Sequence, residues 1–417
     1  MQLHKRFTTE QVKAVLKGYE QGNLTVADAL TTLEVTPATF YRLLKHYRQD
    51  PEAFALTYHR ESPKKVSASA EQHIQRALRD DQRLIQNRDI PVWTYNYSAI
   101  RDRLKKKHGV TVSVPTIITR AKQAGCYEAQ KPQKHHDREV ITTAVGALIQ
   151  HDASHHLWSP FAEKKWVLIT SLEDFSRDLL YADFVAAEST WAHIVAAREV
   201  MTQYGVPLAY YVDSLLVFRF VDQGESVWRE SHVETDTVNP QWKQCVQAAG
   251  AKVIYALSPQ AKGKVERPYR WLQDRIVRTC ALEHLTRLEE VRGVLRDEVA
   301  RYRAHQVHST THQIPQRRFQ DAVRTGQSLF RPFVIPAPYT HRDDVFCLRE
   351  TRQTNGYRRI SLWHQEIAVP KVNPFESVDV HLIPDAARRI VGVRIWQAKR
   401  LVLVTTYPAS AFPKLHF

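Results

Sequence analysis

Apolar residues recur at helical spacing within the first fifty positions of the chain. Residues 12–19 show this spacing behind a threonine cap signal, and residues 26–33 repeat it over a shorter stretch. Thr36 and Pro37 then supply an N-cap and a first helical residue for a third segment around residues 40–47. Three short helices with a tight turn before the third predict a helix-turn-helix domain over residues 1–50.

A second helical pattern follows a stretch of prolines, small residues and charges. That stretch, residues 51–69, is predicted to be a linker. Residues 70–130 again show two helices and a capped third helix, with Ser113 as the cap and Gly125 at the end. The sequence therefore predicts a second helix-turn-helix-like domain, followed by another linker at residues 131–140.

The pattern becomes strand-like after residue 141. Three strand-like runs end near residue 186, and an amphipathic helix is predicted over residues 188–204. Two more strands are predicted within residues 205–214 and 251–257, and a long helix follows the second of them. This order predicts a mixed sheet with helices on its faces, followed by trailing helices, over residues 141–330.

The last part of the chain consists of short alternating segments. Six such segments lie between residues 340 and 410, and Asn355-Gly356 is a hairpin signal among them. We therefore expect a small C-terminal β-barrel. The predicted fold class is multidomain α/β, with two all-α domains ahead of the sheet.

Composition adds a basic charge and a cellular compartment to this picture. The formal net charge is +15, and residues 1–140 contain 24 Lys and Arg against 15 Asp and Glu. A basic front end favours DNA as the partner. The four cysteines are far apart, which predicts reduced thiols in a cytosolic protein. With DNA as its partner, a protein of the prokaryotic cytosol is expected to be nucleoid-associated. The chain has no run of eighteen apolar residues, which argues against a membrane partner.

Candidate DNA contacts lie on three predicted helices. The outward faces of the two third helices carry hydroxyl and cationic groups, which meet base edges and phosphates in DNA readers. More cations surround the start of the helix after the fifth strand. An ordinary helical bundle and a solvated cationic face are the alternatives. The candidates are Thr39, Tyr41, Arg42, Lys45, Thr116, Arg120, Lys122, Lys262, Lys264, Arg267 and Arg270, with further phosphate attraction expected from Lys105, Lys106 and Lys107.

Three carboxylates stand at positions that favour catalysis. Asp152 and Asp213 lie at or near the ends of the first and fourth predicted strands, and Glu266 begins the helix after the fifth. Side chains at strand ends can converge on one point of a sheet edge. Carboxylates without a paired His or Cys suit Mg²⁺ or Mn²⁺, and two such ions can promote displacement at a phosphodiester.

Other polar residues near Asp152 have simpler interpretations. Glu173 and Glu188 are expected to be solvated. His151, His155 and His156 are close enough in sequence to suggest a zinc site, but a contact to substrate phosphate or a core hydrogen bond by His155 or His156 is the favoured interpretation.

The segments "HDASHHLW", "YYVDS" and "SPQAKGKVER" together resemble the catalytic core of insertion-sequence DDE transposases, which is related to retroviral integrases. The resemblance spans nearly the whole chain and is most specific at Pro259, Gly263, Glu266 and Arg267. It implies an RNase H-like core in which Asp152, Asp213 and Glu266 are both the catalytic and the metal-binding residues.

The resemblance has further implications and some departures. It implies that Asp174, which precedes Ser-Arg as in relatives, is structural. Many relatives have Asp-Asn-Gly after the fourth strand, whereas this chain has Asp213-Ser214-Leu215. The interval from Asp213 to Glu266 is also longer than in retroviral relatives. We assign the surplus to a polar insertion at about 217–240, as a flap or a dimer contact.

The function implied by the resemblance is DNA transposition. Such an enzyme binds the terminal inverted repeats of its element, exposes a 3′-OH at each end and joins it to target DNA, using two Mg²⁺ or Mn²⁺ ions per active site. Two ends must be held together, so a homodimer or a larger homo-oligomer on DNA is expected. A DNA-binding regulator with an inactive core and an RNase H-like nuclease are the alternatives.

Overall fold

The computed structural model describes residues 3, 6–56, 66–129, 142–212, 241–255, 263–363, 365–413 and 415, with backbone alone for residues 263–267. The chain divides into two compact units, Met1–Glu71 and Gln72–Phe417.

The first unit contains three helices at the predicted positions: α1 (Thr9–Glu20), α2 (Val26–Leu33) and α3 (Pro37–Gln49). The side chain of Thr8, Thr25 or Thr36 accepts a backbone N–H at the start of each helix, which satisfies a donor that would otherwise have no partner. The apolar faces of the three helices meet in one small core, which includes Val12, Leu16, Ala29, Leu33, Phe40 and Leu44.

The second unit begins with three more helices: α4 (Ala68–Gln86, whose first turn precedes the unit boundary), α5 (Tyr97–His108) and α6 (Val114–Gln123). Ser113 caps α6, as predicted, and α5 ends at Gly109 in a left-handed conformation. Apolar residues of α4 and the following loop pack against a later helix of the same unit in a shared cluster: Leu84, Ile90, Val92, Val277 and Ala281.

A five-stranded mixed sheet forms the centre of the second unit. Its strands are β1 (Leu148–His156), β2 (Trp166–Glu173), β3 (Leu179–Val185), β4 (Ala209–Val212) and β5 (Lys252–Tyr255). Their spatial order is β3-β2-β1-β4-β5. β1, β2 and β3 pair antiparallel, whereas β1, β4 and β5 pair in parallel. The predicted mixed sheet is confirmed.

Helices cover both faces of this sheet. They are α7 (Thr190–Gln203), α8 (Gln241–Ala248), α9 (Gly263–Glu283), α10 (Leu288–His305) and α11 (Pro315–Arg324). On one face, Ile194 of α7 and Trp242 of α8 share a core with Tyr210. On the other face, α9 and α10 pack on Leu168 and Leu172 of β2. β2 is buried on both sides, which explains its continuous apolar sequence.

The C-terminal part contains six strands where six were predicted: β6 (Leu348–Gln353), β7 (Arg359–Leu362), β8 (Gln365–Ala368), β9 (Ser377–Asp385), β10 (Ile390–Gln397) and β11 (Arg400–Pro408). They form a four-stranded sheet, β11-β10-β9-β6, and a separate β7–β8 pair. The predicted closed barrel is therefore not confirmed. This part shares one apolar core with α7 and α8.

Two observations concern the predicted thiol state of the cysteines and the predicted lack of a membrane partner. All four cysteines are buried free thiols. Within the described ranges, no helix has the length and apolar character needed to cross a bilayer.

Candidate active site

Asp152 lies on β1, the central strand of the sheet, and its side chain is half-buried. Its partner across the antiparallel pairing is Thr170 of β2. Thr170 donates from Oγ1 to the hydroxyl of Tyr269 at 2.8 Å, and Gln273 donates from Nε2 to Ser154 Oγ at 3.3 Å. Alternate residues of a strand point to the same face. Asp152 and Ser154 therefore share the face of β1 that α9 covers.

β4 brings the second predicted strand end to the same edge. It pairs in parallel with β1, with Leu148 opposite Ala209 and Gln150 opposite Tyr211. The two residues of each pair are 61 positions apart in sequence, and Asp152 and Asp213 are separated by the same number of positions. β4 ends at Val212, and Asp213 lies outside the described residues.

The third carboxylate belongs to α9. Glu266 lies in the first turn of this helix, one turn before Tyr269, and its side chain is outside the described part of the structure. The hydrogen bond between Tyr269 and Thr170 holds this stretch of α9 against the row of the sheet that contains Asp152. The sequence pattern did not predict this role for Thr170 or Tyr269. Their hydroxyl groups at a predicted strand and helix were the available signal.

The opposite face of β1 carries a buried hydrogen-bond network. His151 contacts Ser171 Oγ through Nδ1 at 2.9 Å and His193 Nδ1 through Nε2 at 2.8 Å. His193 Nε2 is 2.9 Å from Glu188 Oε1, and the other oxygen of Glu188 contacts His155. The hydrogen bond from His193 is the largest cause that lowers the pKa of Glu188. The network runs from the core to the exposed ring of His155.

This network corrects one prediction and argues against an alternative that the sequence did not favour. Glu188 is not simply solvated, since only 16% of its side chain is exposed and two histidines bind it. The three histidines of β1 also do not meet as a zinc site, because His151 points to α7 while His156 packs edge-on against Trp158. Among the described residues, no group of three or more His, Cys, Asp and Glu is arranged to hold a metal ion. Burial lowers the pKa of His156.

The other two acids lie at the end of β2 and directly after it. Glu173 is buried and accepts hydrogen bonds from the backbone N–H groups of Gly146, Phe175 and Ser176, so the prediction that it is solvated is wrong. Burial raises the pKa of this carboxyl. Asp174 is also buried, and it accepts from Thr142, Gln150 and Arg177. These contacts give Asp174 the structural role that was expected.

The candidate DNA contacts of the first unit lie mainly on the free side of α3. Tyr41, Arg42 and Lys45 are exposed. Thr39 is half-buried, and its hydroxyl lies 3.1 Å from that of the capping residue Thr36.

The candidate contacts of the second unit are distributed less simply. Lys122 is exposed above the ring of Tyr127. Arg120 and Thr116 are half-buried, and the Thr116 hydroxyl is 2.8 Å from Ser113 Oγ. Arg270 is exposed on α9. Lys262 and the side chains of Lys264 and Arg267 lie outside what the structure describes.

The lysine run of α5 differs from its prediction. Lys105 is exposed, but Lys106 pairs with Asp297 of α10 at 2.6 Å and Lys107 pairs with Glu283 of α9 at 2.8 Å. Two of the three charges expected to attract phosphates are therefore neutralised by acids within the chain.

Two known proteins are similar to this chain in sequence. The chain is 27% identical over 267 residues to the putative transposase y4bF of Sinorhizobium fredii, covering 64% of this chain and 53% of that protein. It is 28% identical over 166 residues to the transposase for insertion sequence IS1202 of Streptococcus pneumoniae, covering 40% of this chain and 34% of that one. The matches thus span about half and a third of these relatives. No protein-family model matches.

Two solved structures of viral origin show a weak structural similarity to this chain. A chain of the simian T-cell lymphotropic virus intasome, solved with PP2A regulatory subunit B56 gamma, is 12% identical over 73% of this chain and 95% of its own, with a TM-score of 0.30. The HTLV-2 integrase catalytic core domain in complex with magnesium is 14% identical over 44% of this chain and 98% of its own, with a TM-score of 0.28. The sequence matches are the informative ones, and by them this chain is similar to two transposases, one of which is named for an insertion sequence.

Proposed function

We propose that this protein is a DNA transposase that cuts the ends of a mobile element and joins them to target DNA, with Asp152, Asp213 and Glu266 as its catalytic residues. The observation that carries the proposal is the pairing of β1 with β4. β4 ends at Val212, the residue that precedes Asp213 in sequence, and pairs in parallel with β1, which carries Asp152. The contact of Tyr269 with Thr170 supports the approach of Glu266 from the start of α9.

The proposed chemistry has two displacements at phosphorus. In the first, a water oxygen attacks the phosphate at the element end, the bond from phosphorus to the 3′ oxygen breaks, and the element keeps a free 3′-OH. In the second, this 3′ oxygen attacks a target phosphate and loses its proton, and the target strand leaves with its own 3′-OH. The first displacement hydrolyses one phosphodiester, and the second forms one phosphodiester for the one that it breaks, so neither ATP nor a covalent enzyme intermediate is required.

The three carboxylates would hold Mg²⁺ or Mn²⁺, since oxygen ligands without a paired Cys or His suit these hard cations. Two such ions supply activation of the attacking oxygen and stabilisation of the leaving one. Asp152, the member of this donor set whose side chain the structure describes, is half-buried and lies opposite Thr170 in the pairing of β1 with β2. A carboxylate that is accessible in part can serve as a cation ligand.

The two helical regions would bind the terminal inverted repeats. The exposed face of α3, with Tyr41, Arg42 and Lys45, has the polar and cationic groups of a major-groove reader. The net charge of +15 supports binding to a polyanion. Because two element ends must be held together for joining, the active form would be a homo-oligomer on DNA.

A joining assay separates this function from its alternatives. Wild-type protein and Glu266→Gln are incubated with Mg²⁺, a labelled duplex that ends in the element's terminal repeat, and a target plasmid. We expect wild type to produce both nicked ends and joined products, and Glu266→Gln to bind the duplex without producing either. Cleavage without joining would favour a nuclease. Binding by wild type without any cleavage would favour a regulator and refute the transposase proposal.

A further inference from the structure

The second helical region, α4–α6, is fastened to the helices that cover the catalytic sheet. Asp81 of α4 is fully buried and accepts hydrogen bonds from Arg278 of α9 at 2.8 Å and from Arg103 of α5 at 2.9 Å. Arg278 also donates to the carbonyl of Thr94 at 2.8 Å and to Asp274 at 2.7 Å. One buried guanidinium thus joins α4, the loop before α5, and α9.

A second buried arginine repeats this arrangement one turn earlier on α9. Arg275 pairs with Asp102 of α5 at 2.9 Å and with Glu298 of α10 at 3.3 Å, and it donates to Ser98 at 3.1 Å. Only 3% of the Arg275 side chain is exposed. Ion pairs of this kind demand good geometry, because the buried charges lose their hydration. They therefore favour one relative position of α5 and α9 over others.

The border of this interface is charged and accessible. Lys106 pairs with Asp297, and both side chains are more than half exposed. Lys107 pairs with Glu283, with 43% and 36% of the two side chains exposed. Beneath them lies the apolar cluster formed by Leu84, Ile90 and Val92 with Val277 and Ala281. Apolar packing, buried ion pairs and a charged border together resemble a permanent contact between domains.

This contact has a consequence for the proposed transposase. α9 begins with the turn that contains Glu266, and it is the same helix that holds Arg275 and Arg278. α6 carries the exposed Lys122 and belongs to the fastened region. We propose that α4–α6 and α9 form one rigid body, which fixes the distance between the DNA read by α6 and the phosphate that is cut. The inference rests on the proposed function.

Charge reversal at the border tests this rigid body without removing a buried arginine. In Lys106→Glu/Lys107→Glu, two new carboxylates face Asp297 and Glu283. Adding Asp297→Lys/Glu283→Lys restores two opposite pairs while leaving glutamates at 106 and 107. If the lysines acted by touching phosphate, this fourfold variant would remain as defective as the double variant. If they act by fastening α5, it would be rescued.

The first readout is the position of cleavage. The duplex is end-labelled and its cut sites are mapped at single-nucleotide resolution. We expect one dominant cut for wild type and for the fourfold variant, and loss of that single product in favour of scattered or fewer cuts for the double variant. Cutting of the double variant at the same single phosphate as wild type would overturn the proposal. So would failure of the fourfold variant to recover.

The second readout does not depend on activity. Cysteines that carry spin labels replace two exposed threonines, Thr119 of α6 and Thr286 at the end of the α9–α10 connection. Pulsed electron paramagnetic resonance then measures the distance between the α4–α6 region and the helices α9 and α10. A narrow distribution is expected in wild type and the fourfold variant, and a broader one in the double variant. A broad distribution in wild type would refute the rigid body. A narrow one in a protein that does not cut DNA would refute the proposed function alone.

Discussion

His381 shows how burial changes a single side chain in this fold. Its ring packs against those of Tyr339 and Trp396, with centroid distances of 5.6 and 6.1 Å, and 2% of the residue is exposed. Burial, followed by the charge of Arg349, lowers the pKa of His381 from 6.5 to about 4. The nearby Asp344 opposes this shift only partly, since it is already bound by Arg394 and Trp396.

This shift predicts a loss of stability in weak acid. Between pH 6.5 and about 4, His381 is protonated in the unfolded chain but stays neutral in the folded chain. The free energy of unfolding therefore falls as the pH falls through this window. The contribution of His381 reaches about 3 kcal/mol at the acid end. In His381→Phe, which keeps the aromatic contacts, this part of the pH dependence should disappear from urea denaturation curves measured from pH 7 to 4. An unchanged pH dependence would contradict the assignment.

The residue scale is also where the sequence was least informative. Asp152 could be selected from its place at the end of an apolar run, and Asp174 from its place before Ser-Arg. The environments of Glu173 and Glu188 could not be predicted, because each has one partner from another part of the chain besides its local ones. Gly146, just before β1, donates to Glu173, and His155 of β1 contacts Glu188. A charged residue at the end of a strand or in a loop gives no local signal that a folded chain will bury it.

At the scale of elements, the segment after α11 forms bridges with the residues that precede β1 and β4, two of the parallel strands of the sheet. Val145, just before β1, forms a bridge with Ser328, and Val206, just before β4, forms one with Arg331. The Val206 N–H donates to the Arg331 carbonyl at 2.7 Å, and the Arg331 N–H donates back at 3.0 Å. Gly146 allows this close approach, because a Cβ there would lie 2.7 Å from the backbone nitrogen of Phe330.

A matched pair of glycines measures the importance of that approach. Gly146 and Gly326 have φ angles of +78° and +76°, but a Cβ at Gly326 would meet nothing within 4 Å. Gly326→Ala should cost only the left-handed conformation, about 1–2 kcal/mol. Gly146→Ala should cost about 1–3 kcal/mol more, because the segment must also shift. Urea denaturation of both variants would show the difference, and equal losses would mean that the contact with Phe330 is unimportant.

Elements were predicted well where local signals define them. Helices α1, α3 and α6 begin at the capping residues predicted from the sequence, and the strands of the sheet follow its apolar runs. The C-terminal strands were also found, but their closure into a barrel was not. Closure depends on hydrogen bonds between strands that are distant in sequence, and β6 pairs with β9 rather than with its neighbour β7.

At the scale of the whole molecule, the sheet order and the charge distribution support one account. The order β3-β2-β1-β4-β5 places β1, which carries Asp152, beside β4, although a helix and two strands separate β1 from β4 in sequence. Helix α9 connects this sheet to the second helical region. The sequence predicts the helical regions and the sheet as separate parts. It does not predict the contact of α5 with α9, because the lysines of α5 are expected to attract phosphates.

The central claim concerns which acids do the chemistry, and two aspartates on different strands of the same sheet allow a matched test. Asp152 is the proposed metal ligand of β1, whereas Asp183 of β3 pairs with Arg292 at 3.1 Å near the surface. Joining of labelled repeat ends to target DNA is measured for Asp152→Asn and Asp183→Asn, with binding to the repeat measured in parallel. We predict a loss of roughly a thousandfold or more for Asp152→Asn, since several kcal/mol of transition-state stabilisation would disappear. Asp183→Asn should retain near-wild-type joining, and both variants should still bind. Joining by Asp152→Asn at the wild-type rate would contradict the account.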